Sequence, residues 1–239
     1  MTVPVITIDG PSGAGKGTVA RLIALELGFH LLDSGAIYRI LGLAATNVEL
    51  KLDDVDSLVS LSNSLDLSFP YDAESTQIML NGVSIGDQLR TQAVADAASQ
   101  VAVHPPVRDA LMSLQRRQAR APGLVGDGRD LGTIVFPDAD LKIFLDASVE
   151  VRAERRYLEL IQSSQTVERS AILRDLEIRD VRDRTRKVAP LVPAKDAYVI
   201  DSSDKTAAQV AADIRDLCQA NGLTQKTRDF SDDISKHAH

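Results

Sequence analysis

The sequence predicts an α/β fold: a five-stranded parallel sheet flanked by helices, with a small antiparallel-β and helical insert and a helical lid. Three observations predict it. Short apolar runs alternate with stretches of helical spacing, the pattern of parallel strands joined by helical crossovers. A glycine-rich stretch at residues 10–17 lies between the first such run and the first helical stretch. Between residues 65 and 85 the alternation gives way to a period of two around Asn81-Gly82, a hairpin signal that reads as an insertion.

The first element is the β-branched run Val5-Ile6-Thr7-Ile8, which reads as a buried strand. Residues 10–16 follow at once and fit G-x-x-x-x-G-K. Gly10, Pro11, Ser12, Gly13, Ala14, Gly15, Lys16, Gly17 and Thr18 are therefore expected to cradle phosphates. Glycines let main-chain N–H groups turn inward, the helix N-terminus adds partial positive charge, and Lys16 reaches the outer phosphates. This sets the ligand class as a nucleoside triphosphate. The usual Ser or Thr after the lysine is replaced by Gly17. Thr18 is the candidate Mg²⁺ ligand, the other reading being an ion held by water and phosphates. Val19, Leu22, Ile23 and Leu27 recur at helical spacing, and Gly28 stops that helix.

Residues 29–32 form the next apolar run and end in Asp33-Ser34-Gly35. Ser34 is expected to cap a helix through Ile37, Tyr38, Leu41 and Leu43. Tyr38 and Arg39, taken alone, fit an ordinary amphipathic surface. Residues 53–64 read as a helix, 70–75 as a turn cluster, and Ile78, Leu80, Val83 and Ile85 as the arms of the hairpin. Residues 94–103 read as a helix broken at His104-Pro105-Pro106. The helix after it carries Arg108, Leu111 and Leu114, with Arg116-Arg117 as solvated surface.

A short strand at 124–126 runs into Asp127-Gly128-Arg129-Asp130-Leu131-Gly132-Thr133. In open parallel sheets such polar loops at strand carboxyl ends carry the binding groups. After the strand at 141–145, Ser148 caps a helix whose Arg152, Arg155 and Arg156 share a face. A polar break at 162–166 precedes a helix at 168–187. It sets Arg179, Asp183 and Arg186 on one face, flanked by Arg182 and Arg184. Residues 198–200 are the last strand, and Val210, Ile214 and Leu217 pack the last helix. The tail from residue 224 is polar and expected to be loose.

With 27 Lys+Arg against 34 Asp+Glu, the net charge of −7 argues against a general nucleic-acid binder but leaves small anionic ligands open. No stretch is long and apolar enough to span a membrane. The single cysteine, Cys218, excludes an intrachain disulfide and fits a reducing cytoplasm; its helical, apolar setting makes it a packing residue. No exposed apolar stripe stands out, so a monomer is expected.

A triphosphate enzyme that transfers a phosphoryl group needs positive charge around the moving group, an aligned acceptor, and exclusion of water. Arginine suits these tasks. It occurs after the loop in four places: Arg39, Arg129, the 152–156 face and the 179–186 face. The last two form a helical hairpin between sheet strands, where a closing lid would sit.

Seven blocks in order resemble the bacterial cytidylate kinases, nucleoside monophosphate kinases of the P-loop kinase class. They are Gly-Pro-Ser-Gly-Ala-Gly-Lys-Gly-Thr (10–18), Leu-Leu-Asp-Ser-Gly-Ala-Ile-Tyr-Arg (31–39), Arg-Thr-Gln (90–92), Ala-Ala-Ser-Gln-Val-Ala (97–102), Asp-Gly-Arg-Asp-Leu-Gly-Thr (127–133), Lys-Ile-Phe-Leu-Asp-Ala (142–147) and Arg-Asp-Arg-x-Arg-x-Val-Ala-Pro-Leu (182–191). The resemblance runs over residues 3–220 and implies transfer of the γ-phosphoryl of ATP to CMP or dCMP, with Mg²⁺. It implies that Arg39, Arg129 and Gly128 meet the acceptor phosphate near Ser34 and Tyr38, with Arg90 and Arg179 completing that site. Ser99, Arg108, Asp130 and Arg186 would read cytosine, and Asp183 the ribose hydroxyls. Lys16, Arg129, Arg152, Arg155, Arg156 and Arg184 would be catalytic. The implied division is a core at 1–33 and 122–223 with a lid at 155–190, a CMP-binding region at 34–121 with an insert at 63–100, and the tail at 224–239. The rivals are a kinase for another nucleotide such as UMP, and a nucleotide-switched binding module. An Asn-Lys-x-Asp motif would support the latter, and the sequence lacks one.

Overall fold

The computed structural model describes residues 3–65, 67–68, 79–80, 83–84, 86, 88–162 and 167–224. Its strands are β1 (Val5–Asp9), β2 (His30–Asp33), β3 (Leu67–Ser68), β4 (Met79–Leu80), β5 (Val83–Ser84), β6 (Leu124–Gly128), β7 (Leu141–Asp146) and β8 (Tyr198–Asp201). Its helices are α1 (Lys16–Leu27), α2 (Ser34–Asn47), α3 (Val55–Ser64), α4 (Gln92–Val101), α5 (Pro105–Arg116), α6 (Val149–Gln162), α7 (Arg169–Thr185) and α8 (Ala207–Ala220).

The main sheet has five strands in the order β2-β6-β1-β7-β8, every neighbouring pair parallel. Each residue of β1 is buried, as a central strand covered on both faces requires. Alternation then deals its side chains to two cores. Ile6 and Ile8 pack with Val19 and Ile23 of α1 and Val210 and Ile214 of α8. Val5 packs on the other face with Ile37 and Leu41 of α2 and Val107 and Leu111 of α5. Because the strands are parallel, the ends of β1, β2 and β6 meet along one edge. Asp33 is in register with Asp127, and Asp9 with Gly128.

The insertion is a separate three-stranded antiparallel sheet, β3-β4-β5, with Met79–Leu80 paired to Val83–Ser84. The turn at Asn81-Gly82, the cluster at 70–75, residues 163–166, the side chain of Arg90 and the tail from 225 lie outside the described residues.

Three local readings are corrected. Asp33, not Ser34, caps α2: its carboxylate accepts from Ala36 N at 2.8 Å, and Ser34 is already helical. The helix α7 stops at Thr185, so Arg186 is extended (φ −61°, ψ 139°) and leaves the face shared by Arg179 and Asp183. Arg116 is exposed, yet it donates to the carbonyls of Val135 (2.9 Å) and Ile134 (3.2 Å) and so ties α5 to a single π turn (Leu131–Val135) after β6. Two further local expectations match. Ser148 Oγ accepts from Val151 N at the start of α6 (3.4 Å), and Cys218 is buried, which pushes its thiol up to about 11. Among the described residues no helix is long and apolar enough to cross a membrane.

Two glycines separate conformational from steric demand. Gly28 ends α1 at φ 67° with open space around it, whereas Gly10 has φ 149° and its added Cβ would lie 2.0 Å from the carbonyl oxygen of Leu145. Urea denaturation should show Gly28→Ala costing about 1–2 kcal/mol, the ordinary left-handed penalty. Gly10→Ala should cost clearly more, because β7 has to give way; equal losses would show that the close approach is not limiting.

Candidate active site

The loop between β1 and α1 is built from glycines at positive φ: Gly10, Gly13 and Gly15 at 149°, 81° and 93°. Gly15 stands at the N-cap of α1, so the helix opens directly onto the loop. Lys16 is 5% exposed, and its Nζ donates to Pro11 O at 2.8 Å and lies 3.7 Å from Asp127 Oδ1. Burial, then Arg129, pull its ammonium down to about 8, against the pull of Asp127 and Asp9. Burial holds the Asp127 carboxyl above its ordinary value. Asp127 also faces Gly17: a Cβ there would lie 3.1 Å from Asp127 Oδ2. The residue type after the lysine thus leaves room for a carboxylate from β6, while Thr18 is exposed.

A buried group of arginines and carboxylates adjoins the loop. Arg129 Nε donates to Asp183 Oδ2 at 3.1 Å, joining the end of β6 to α7. Arg179, on the same face of α7, is half-buried, and its buried Nε lacks a hydrogen-bond partner. Burial, then Arg129, pull it down to about 10. A cation crowded by other guanidinium groups and left with an unmet donor is a physical fit for an anion. Arg39 pairs with Asp33 at 2.6 Å.

Deeper in, Asp130 accepts from both Arg108 and Arg186, the latter at 3.4 Å. Arg108 also lies 5.5 Å from the Tyr38 ring centroid, a cation–π distance. Ser99 is buried on α4 and accepts from Arg182 NH1 at 2.9 Å; the same guanidinium meets Asp96 at 3.1 Å. Ser34 Oγ donates to Gln115 Oε1 at 2.8 Å. The chain therefore brings together Arg108, Asp130, Arg186 and Tyr38, and separately Arg129, Arg179 and Asp183. Gly128 supplies a carbonyl to Arg129 at 3.3 Å.

Arg152 and Arg155 depart from the expectation that they face phosphates. Arg152 is 3% exposed and donates to Ala147 O, Ser12 O and both oxygens of Asp180. Arg155 donates to Ala14 O, Ser202 Oγ, Ser202 O and Lys205 O. A guanidinium has five fixed donors, and here protein acceptors engage most of them, one loop carbonyl for each residue: Ser12 O for Arg152 and Ala14 O for Arg155. Both residues brace the loop from α6. Arg156 pairs with Glu159 at 2.8 Å and Arg184 lies 3.7 Å from Asp146.

Sequence reasoning assigns no role to Gln115, Asp180 or Asp9, and places Asp127 only within the polar loop at 127–133. Only Gln115 left a local signal: it continues the apolar row Val107–Leu111 at i+4, where a polar residue needs a partner.

The family model described as cytidylate kinase matches residues 6–220. A cytidylate kinase from Cupriavidus necator is 51% identical over 212 residues, covering 89% of this chain and 94% of that one. Cytidylate kinases from Aeromonas hydrophila and Salmonella choleraesuis are each 53% identical, covering 84% and 87% of this chain and 87% and 91% of theirs. With nearly the whole chain matched at half identity, this protein belongs to the cytidylate kinase family.

Proposed function

We propose that the chain phosphorylates CMP and dCMP, taking the γ-phosphoryl of ATP by direct in-line transfer with Mg²⁺. The observation that carries this is the grouping beside the Lys16 loop of Arg129 and of Arg179, a half-buried arginine whose buried Nε has no partner. ATP sits with its phosphates on residues 10–18. Lys16 meets the outer phosphates, and the acceptor phosphate is gripped by Arg39, Arg129 and Arg179, with Arg90 as a fourth contributor. Arg156 and Arg184 add charge from the lid, which spans about 155–190 between the two parts of the core. The loop braces Arg152 and Arg155 act by holding its main chain in shape. Asp127, which faces Gly17 next to Thr18 in the chain, is the residue that would hold Mg²⁺ with Thr18, and the ion would neutralise charge on the phosphates. The acceptor oxygen is anionic near neutral pH, so no general base is needed.

The Arg108–Asp130–Arg186 group gives the base its reading. Cytosine offers a carbonyl and ring nitrogen to guanidinium donors and an amino group to the Asp130 carboxylate, and we propose Ser99 as a further contact to the base. Uracil lacks the amino donor and would leave a buried acceptor unpaired. Asp183 takes the ribose hydroxyls once Arg129 turns to phosphate. The substrates are small nucleotides, and we propose a monomer without a nucleic-acid partner.

Two measurements test this. ADP release should be fast with CMP and dCMP and at least about 100-fold slower with UMP or AMP, the discrimination open to a hydrogen-bonding site. Arg186→Ala should lose most with cytidine nucleotides. Equal turnover with UMP would overturn the base-reading roles while leaving the kinase. Second, the Lys16 ammonium of the free enzyme titrates at about 8. Its folded value lies below the unfolded one, so positive charge is lost as pH rises through that value. Accordingly kcat/KM for ATP should fall above pH 8, by about tenfold per unit at the limit. A profile flat to pH 10 would contradict it.

A further inference from the structure

Asp9 closes β1 and precedes the glycine loop without belonging to it. It is 5% exposed. Its Oδ1 accepts from Leu131 N at 2.9 Å and its Oδ2 from Gly132 N at 2.7 Å. These N–H groups open the π turn, where donors lack partners within the turn itself. Two donors need two acceptors on one short side chain. A carboxylate has both oxygens to offer; an asparagine has one, and a serine a single hydroxyl.

The surrounding residues are shaped around this contact. A Cβ on Gly128 would lie 3.1 Å from Asp9 Oδ1 and 2.4 Å from Leu131 Cγ. A Cβ on Gly132 would lie 2.8 Å from Thr7 Oγ1. Glycine at both positions lets the turn settle directly onto β1. Between them stand Arg129 and Asp130. They are held upstream by the register of Gly128 with Asp9, and downstream by the two N–H bonds to the same aspartate. Asp9 is therefore attached to the glycine loop by one peptide bond and to the Arg129-Asp130 segment by two hydrogen bonds.

We infer that Asp9 is a positioning residue for the acceptor site: by accepting the Leu131 and Gly132 N–H groups, its carboxylate sets Arg129 and Asp130 against the phosphate loop. The inference rests on the acceptor roles proposed above for those two residues. A turn cap with a purely structural role would lower stability and impair both substrates alike. A positioning role predicts an asymmetry, because Asp9→Asn leaves the glycine cradle at residues 10–18 and its lysine intact while turning an amide N–H₂ toward an N–H of the π turn.

Asp9→Asn should raise KM for CMP by about tenfold or more and lower kcat, while the Kd for ATP, read by direct binding, moves less than about threefold. An unchanged CMP KM, or parallel losses for CMP and ATP, would overturn the inference. If Asp9→Asn does not fold, amide hydrogen exchange on the unmodified protein decides. Leu131 and Gly132 should exchange about as slowly as the β1 amides, and exchange at loop rates would overturn it. Should the unmodified protein show no CMP-dependent ADP release, the proposed function fails instead, and the exchange result still reports on Asp9.

Discussion

Positive charge held out of water must be answered by negative charge, and that requirement organises this molecule. Lys16 faces Asp127, Arg129 faces Asp183, Arg108 and Arg186 share Asp130, and Arg152 faces Asp180. Each pair joins segments distant in sequence: the glycine loop to β6, β6 to α7, α5 to the π turn, α6 to α7. Removing one member of such a buried pair leaves an uncompensated charge and costs about 3–5 kcal/mol. The pairs therefore do more than add stability. They fix where the loop, the Asp127–Thr133 segment and the helices α6 and α7 stand relative to one another. A phosphate can take over the carboxylate's part, since its oxygens accept the same bidentate donors.

The parallel sheet makes that clustering available. With β6 and β7 on either side of β1, the chain reverses its direction of strand addition at β1, and a crevice opens at the carboxyl ends. Asp9 and Asp33 end their strands there and Asp127 is the second-last residue of β6, so three carboxylates are delivered with no dedicated loop. The helix α6 braces the glycine loop from behind through Arg152 and Arg155. Arginines that look like phosphate ligands in the sequence thus divide into two kinds. One kind shapes the cradle; the other, Arg129 and Arg179 foremost, lies beside it.

Much of this was legible in the chain. The glycine motif, the five apolar runs, the hairpin insertion and the arginine-bearing helical pair are all local patterns, readable because spacing alone decides which residues share a strand or a helix face. The capping of α2 was misassigned because Asp33 and Ser34 are both good caps. The choice depended on Gln115, 81 residues away, which takes the serine hydroxyl. Arg186 was assigned to the face of α7 because nothing in its own spacing reveals that the helix ends one residue earlier, at Thr185.

By itself, then, the sequence determined the class of fold, the phosphate loop and its lysine, and the inventory of charged residues near it. Only the tertiary structure decided their partners: Asp9 on the π turn, Asp180 on Arg152, Asp130 between two guanidinium groups. The reason is physical. Periodicity is a property of neighbours along the chain, whereas a buried polar group is satisfied by whatever donor or acceptor packing brings to it, and that is settled only once the sheet and helices have closed around the site.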